Sequence, residues 1–79
     1  MEEQKEIIGK IIRWTDQNWG TARYYVGNES LPRKVFVHIS KVVSVEQPQV
    51  GSRIEFIVGP PRLAHEMPQA LRVKVLGVL

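Results

Sequence analysis

The sequence contains no cysteine and only two histidines. Without cysteine the chain forms no disulfides and offers no thiol nucleophile, and two histidines by themselves do not complete a structural zinc site. No stretch approaches the roughly 20 apolar residues of a membrane-spanning helix. The first six residues are polar and acidic, unlike a secretory signal. We therefore expect a soluble, cytoplasmic protein without a cofactor.

The sequence also lacks any arrangement of acids and bases typical of a catalytic site. We find neither a nucleophile-and-base motif nor a glycine-rich phosphate loop. A chain of 79 residues leaves little room for a deep cavity, because so small a domain buries only roughly 60% of its surface. We predict a non-enzymatic protein with one domain over residues 7–79, preceded by a frayed leader at residues 1–6.

Basic residues outnumber acidic residues by 11 to 8, and the excess lies in one part of the chain. Residues 10–41 contain six lysines and arginines but only two acids, Asp16 and Glu29. Such a bias fits an ordinary solvated face as well as a polyanionic partner. Charge alone leaves both interpretations open.

Hydrophobic patterning predicts five β-strands separated by turn-forming residues. β-Branched and aromatic residues are concentrated in residues 7–14, 19–26, 35–40, 53–58 and 69–79. The first segment also fits a helical stripe, but its four isoleucines and Gly9 favour a strand with a bulge or bend at Gly9. A short helical turn capped by Ser40 is predicted after the third strand. We favour a closed barrel over a sandwich, because closure leaves no exposed sheet edge.

The third predicted strand, residues 35–40, carries different side chains on its two faces. Alternation sends the apolar residues 35, 37 and 39 to the core. It sends Phe36, His38 and Ser40 to the opposite face. In the second strand Trp19 and Tyr25 share a face, opposite small residues that allow close packing. An aromatic ring beside an imidazole is unusual on a solvent-facing strand, so this face is either covered by protein or binds a ligand.

Flat rings with interleaved cations indicate a surface for single-stranded nucleic acid. Stacking a base on an aromatic side chain is worth roughly 1–3 kcal/mol, and neighbouring cations follow the phosphates. A single Trp is more often part of a core, so Trp14 taken alone favours a structural role. A lone histidine is likewise more often structural, but His38 next to Phe36 is a candidate stacking partner.

Four segments resemble the motifs of cold shock domains, in the family's order. Val35–Ser40 closely resembles the second ribonucleoprotein motif, usually VFVHFS. Lys10–Trp14 is similar to G-x-V-K-W, Gly51–Phe56 to G-x-x-V-x-F, and Pro68–Val73 to P-Q-A-x-x-V. The resemblance covers residues 9–76. It implies an all-β, five-stranded antiparallel oligonucleotide-binding (OB) barrel that binds single-stranded RNA or DNA with little sequence preference.

The resemblance also assigns roles to individual residues. Arg13 and Trp14 match a basic residue and a Trp that contact the nucleic acid strand in the family. Trp19 matches the first aromatic of the first ribonucleoprotein motif, K-G-F-G-F-I. Phe36 and His38 match the stacking pair of the second motif.

Several positions depart from the family pattern. In the first ribonucleoprotein motif Gln17 replaces the Lys and Thr21 replaces the second aromatic. Ile39 stands where a further Phe is common, and residues 41–49 contain no aromatic. The last connection, residues 60–67, is longer than in the family and adds Arg62 and His65.

We therefore predict a single-strand binder, acting as an RNA chaperone or regulator. The predicted binding residues are Lys10, Arg13, Trp14, Trp19, Arg23, Phe36, His38 and Arg62. The alternative is a degenerate cold-shock-like module that binds protein or self-associates through the same apolar face. The missing rings and the hydrophobic residues 73–79, which offer a strand to the edge of another chain, favour this alternative. The first hypothesis predicts a monomer, and the second a homodimer.

Overall fold

The computed structural model describes residues 6–64 and 66–78. Residues 1–5 of the leader predicted at residues 1–6 lie outside these described residues, as do His65 and Leu79. The strands are β1 (Ile7–Trp14), β2 (Trp19–Tyr24), β3 (Arg33–His38), β4 (Ser52–Gly59) and β5 (Gln69–Val78). Within the same ranges, no helix has the length and apolar character needed to cross a membrane.

The five strands form a closed barrel in the order β1-β2-β3-β5-β4, and β4 pairs back to β1. This is the arrangement of an OB-type barrel, so the predicted fold class is confirmed. The expectation of a wholly antiparallel barrel is wrong at one place, because β3 and β5 run parallel where Phe36 pairs with Gln69. An odd number of strands closed into a ring requires at least one parallel pair.

The barrel interior holds a small apolar core drawn from every strand. Val35 and Val37 are fully buried, as alternation predicted for β3. Tyr24 meets Phe56 edge to face, with ring centroids 5.5 Å apart and an interplanar angle of 80°. The remaining core residues are Ile11, Ala22, Ile54, Ala70 and Val73. Burial of each larger side chain contributes roughly 1.5–3 kcal/mol, which stabilises the barrel against its conformational entropy.

The irregularity in β1 lies at Ile12 and not at Gly9, so the predicted bulge position is wrong. Gly9 pairs regularly with Ile54 of β4. The register to β2 shifts between Ile11 and Arg13. Gly9 serves close packing instead, because a Cβ there would lie 2.8 Å from both the Arg23 carbonyl oxygen and the Phe56 ring.

β3 ends at His38, and a single 3-10 turn, Ile39–Lys41, follows it. The capping residue is His38, so the predicted cap at Ser40 is wrong. The Ser40 N–H donates to His38 Nδ1 at 3.1 Å, which turns the chain out of the strand. Ile39 is therefore only half-buried and does not continue the inward-facing series of β3. β2 also ends early, at Tyr24, so Tyr25 lies beyond the strand.

β5 is hydrogen-bonded on both sides over much of its length. It pairs with β4 from Gln69 to Val78. On its other side the Val43 N–H donates to the Val73 carbonyl at 2.8 Å. The Val75 N–H donates to Ser44 Oγ at 3.0 Å. In the described part of residues 73–79, backbone groups thus form hydrogen bonds within the chain. The self-association hypothesis had this segment pair with another chain instead.

Candidate nucleic-acid interface

Three flat rings lie in a row across the outer face of β2 and β3. The strand register places Trp19 opposite His38 and Thr21 opposite Phe36. The Trp19 and Phe36 ring centroids are 5.8 Å apart, with planes inclined by 30°. The Phe36 and His38 centroids are 6.3 Å apart, inclined by 33°. All three side chains are half-buried, and we call this row of Trp19, Phe36 and His38 the platform.

Arg13 brings a positive charge to one end of the platform. It pairs with Thr21 across β1 and β2, and its guanidinium carbon lies 5.3 Å from the Trp19 ring centroid. This distance permits a cation–π attraction, and Arg13 remains exposed to solvent. Arg13 therefore places a solvent-exposed cation over the Trp19 ring.

His38 is fixed in orientation by the residues that follow it. Its Nδ1 accepts the Ser40 N–H and lies 2.9 Å from Ser40 Oγ. Because a backbone N–H only donates, Nδ1 is the acceptor and the neutral ring carries its proton on Nε2. The platform thus presents an imidazole of defined orientation with Nε2–H as its donor.

The long connection between β4 and β5 forms one wall of a groove over the platform. The groove encloses about 610 Å³. Its lining consists of Trp19, Phe36, His38, Arg62, Glu66 and Met67. Sequence reasoning included Arg62 but missed Glu66 and Met67. The signal available for them was the unusual length of residues 60–67.

Two hydrogen bonds hold this connection beside the platform. Gln69 Nε2 donates to the Pro60 carbonyl at 3.0 Å, which closes the base of the loop. The Phe36 N–H donates to the Pro68 carbonyl at 2.8 Å. These bonds hold both ends of the loop next to Phe36. They thereby keep the loop beside the rings.

A smaller groove of about 290 Å³ shares Phe36, His38 and Arg62 with the groove over the platform. Its lining also includes Lys41. Lys41 was missed by sequence reasoning, although it directly follows the motif Val35–Ser40. Arg62 and Lys41 thus place two positive charges beside Phe36 and His38.

Lys10 and Arg23 lie together, but away from the platform. Lys10 pairs with Arg23 of β2 on one side and with Arg53 of β4 on the other. All three cations are exposed and line a groove of about 280 Å³ that also includes Tyr25. Arg23 lies four positions along β2 from Trp19, which corresponds to roughly 13 Å along the strand. These cations form a second basic surface on the barrel.

Trp14 faces the opposite way from Arg13. It pairs with the buried Gly20 and packs, half-buried, against the core. A one-residue bulge reverses which face each following side chain occupies, so the bulge at Ile12 sends Arg13 outward and Trp14 inward. Among the predicted site residues, the structure brings together Arg13, Trp19, Phe36, His38 and Arg62. It does not place Lys10, Trp14 or Arg23 with them.

The ion pairs found in the described ranges lie away from the platform. Arg33 binds Glu29 through two hydrogen bonds, 2.9 and 3.0 Å long. The hydrogen bond from Arg33 lowers the pKa of Glu29. Lys74 lies 3.9 Å from Glu55. Within residues 6–64 and 66–78, Arg13, Arg62 and Lys41 therefore have no carboxylate at ion-pair distance.

The geometry defines an OB-type barrel with a ring platform under a loop-walled groove. No family model matches the chain, and no curated protein matches it. The cold-shock resemblance accordingly depends on the four motif segments alone, and it stays a prediction.

Proposed function

We propose that the protein binds single-stranded RNA or DNA by stacking bases on Trp19, Phe36 and His38. One observation carries this proposal: three half-buried rings form a continuous row on the outer face of the barrel. Each ring offers a flat surface on which a base stacks, and stacking needs no particular base. The motif resemblance supports the same function and extends it to an RNA chaperone or regulator.

The charges around the platform suit a strand whose phosphates pass along its edges. Arg13 lies over Trp19, Arg62 lines the groove with all three rings, and Lys41 lines the adjoining groove. A strand with its bases on the rings carries a negative charge per nucleotide, so these cations attract it.

A structural role for the rings under the loop is the simpler alternative. In that case the loop between β4 and β5 would pack directly against Trp19 and Phe36, and no space for a ligand would remain. The groove of about 610 Å³ between loop and rings argues against this alternative, because its volume lies within the range of ordinary ligand sites.

Titration with a short, unstructured oligonucleotide tests the proposal. We expect quenching of Trp fluorescence and backbone amide shifts concentrated in β2, β3 and residues 60–68. The affinity should fall as salt rises, because binding releases counterions from the strand. The absence of both quenching and amide shifts at low salt would overturn the proposal.

A further inference from the structure

The described residues contribute one acidic and one basic side chain to the groove over the platform. Glu66 lines the groove over the platform together with Arg62. A carboxylate repels the phosphates of any strand that enters, so it opposes binding that depends on charge alone. A carboxylate at this position favours a ligand group that donates hydrogen bonds.

Glu66 is held at the groove by its backbone, and its carboxylate is not engaged in an ion pair. Its N–H donates to the Leu63 carbonyl at 3.0 Å, which forms a turn within the loop. In the described part of the chain, its carboxylate makes no ion pair with Arg62 or any other cation. The carboxylate oxygens are thus available as acceptors at the wall of the groove.

We infer that Glu66 selects guanine among the bases that stack on the platform. This inference rests on the proposed function and specifies the base. In the inferred arrangement, a base stacked on Phe36 has its Watson–Crick edge toward the groove wall to which Glu66 and Met67 belong. Single-strand recognition commonly uses hydrogen bonds to this edge.

The donor pattern of the four bases favours guanine. A carboxylate only accepts hydrogen bonds. The Watson–Crick edge of guanine has two adjacent donors, N1–H and the 2-amino group, and these match the two carboxylate oxygens. Adenine and cytosine each offer one amino group beside a ring acceptor. Uracil places its single N–H between two carbonyls, which repel a carboxylate.

The remaining lining residues complete the arrangement without specifying the base. Met67 contributes a flexible apolar side chain to the groove wall. Arg62, shared by the two grooves over the platform, serves as the phosphate contact. We therefore assign selection between bases to Glu66.

The experiment compares short oligouridines that differ at one central position. Guanine, inosine, adenine or uracil occupies that position, and affinity is measured by Trp fluorescence against the native protein and Glu66→Gln. We expect the native protein to bind the guanine oligonucleotide about 5- to 10-fold tighter than the uracil one, as one exposed bidentate contact provides. Inosine, which lacks the 2-amino group, should fall between them.

The variant separates base selection from simple repulsion. Glu66→Gln should weaken guanine binding and strengthen uracil binding, because Gln replaces one of the two acceptor oxygens with an amino donor and removes the negative charge. A purely electrostatic role would strengthen binding of every oligonucleotide alike, and that result overturns the inference. Glu46→Gln, the same change on an exposed residue outside the groove lining, is the control and should preserve the guanine preference.

Failure of this inference is distinct from failure of the proposed function. Equal affinity for all oligonucleotides would reject selection by Glu66 and keep the platform as a stacking site. No binding of any oligonucleotide would reject both.

Discussion

The Arg13 guanidinium lies over the indole of Trp19, 5.3 Å from its centroid. This contact joins a cation of β1 to an aromatic ring of β2. We expect Arg13→Ala to lower the slope of log affinity against log salt by about 0.7, the value for one phosphate contact in a single strand. Salt titrations of Trp fluorescence measure this slope. Lys74→Ala removes an exposed cation next to Glu55 and serves as the control, whose slope should stay at the native value.

The two large rings of the platform should each contribute to affinity. Trp19→Ala and Phe36→Ala should each lose roughly 1–3 kcal/mol of binding free energy. Because the two rings are neighbours with centroids 5.8 Å apart, their contributions are coupled, and the loss in the double variant should differ from the sum of the single losses. Tyr25→Ala, at a ring that is 54% exposed and off the platform, is the control. Native affinity in both single variants would remove the platform from the site.

The packing of Gly20 against β1 predicts a large loss of stability from a small change. A Cβ at this position would lie 2.0 Å from the Arg13 carbonyl oxygen and 2.8 Å from the Trp14 ring. Gly20→Ala should destabilise the barrel by about 1–3 kcal/mol, because backbone and indole must move apart. Denaturant unfolding measures the change. Gly27→Asn, at a position with open space and φ of +54°, should stay within about 0.5 kcal/mol of the native protein.

Arg72 adopts a left-handed backbone conformation in the middle of β5, with φ of 52°. The register between β4 and β5 shifts opposite it, between Glu55 and Ile57. Glycine adopts this conformation without strain, so Arg72→Gly should raise the free energy of unfolding by about 0.5–1 kcal/mol. Arg72→Val should lower it, since a β-branched side chain tolerates this conformation poorly. Equal stability of the two variants would contradict the assignment of strain to Arg72.

The Glu29–Arg33 pair predicts a defined pH response. The hydrogen bond from Arg33 lowers the pKa of Glu29 in the folded protein. The pair's contribution to stability is therefore present above the ordinary carboxylate pKa and is lost as pH falls through the lowered value. In Arg33→Gln the Glu29 carboxyl should titrate at higher pH, as NMR can follow. Lys74→Gln should leave the titration of Glu29 unchanged.

Local periodicity was sufficient to predict the faces of β3. Alternation placed Val35 and Val37 inside and Phe36 and His38 outside, and the structure has them so. Alternation depends only on neighbours in the chain, so one sequence carries this information. The prediction of a closed barrel is also confirmed. Closure pairs the backbone N–H and C=O groups that the edge strands of an open sheet would leave unpaired.

The features that sequence reasoning missed depend on partners distant in the chain. The bulge at Ile12 is a shift in the pairing of β1 with β2, so it depends on both strands. Because of this shift, Arg13 faces Trp19 and Trp14 faces Gly20. Glu66 and Met67 reach the platform because both ends of their loop are tied beside Phe36. Neither relationship has a periodic signature in the residues concerned.

In the described residues, β3 and β5 pair only where Phe36 meets Gln69, whereas β4 pairs with β5 along its whole length. The barrel therefore closes most weakly beneath the platform. A strand lying on Phe36 and held by Arg62 would bridge that closure and favour the closed form. The melting temperature of the protein would then rise with the concentration of its ligand, so thermal denaturation alone would report which oligonucleotides bind.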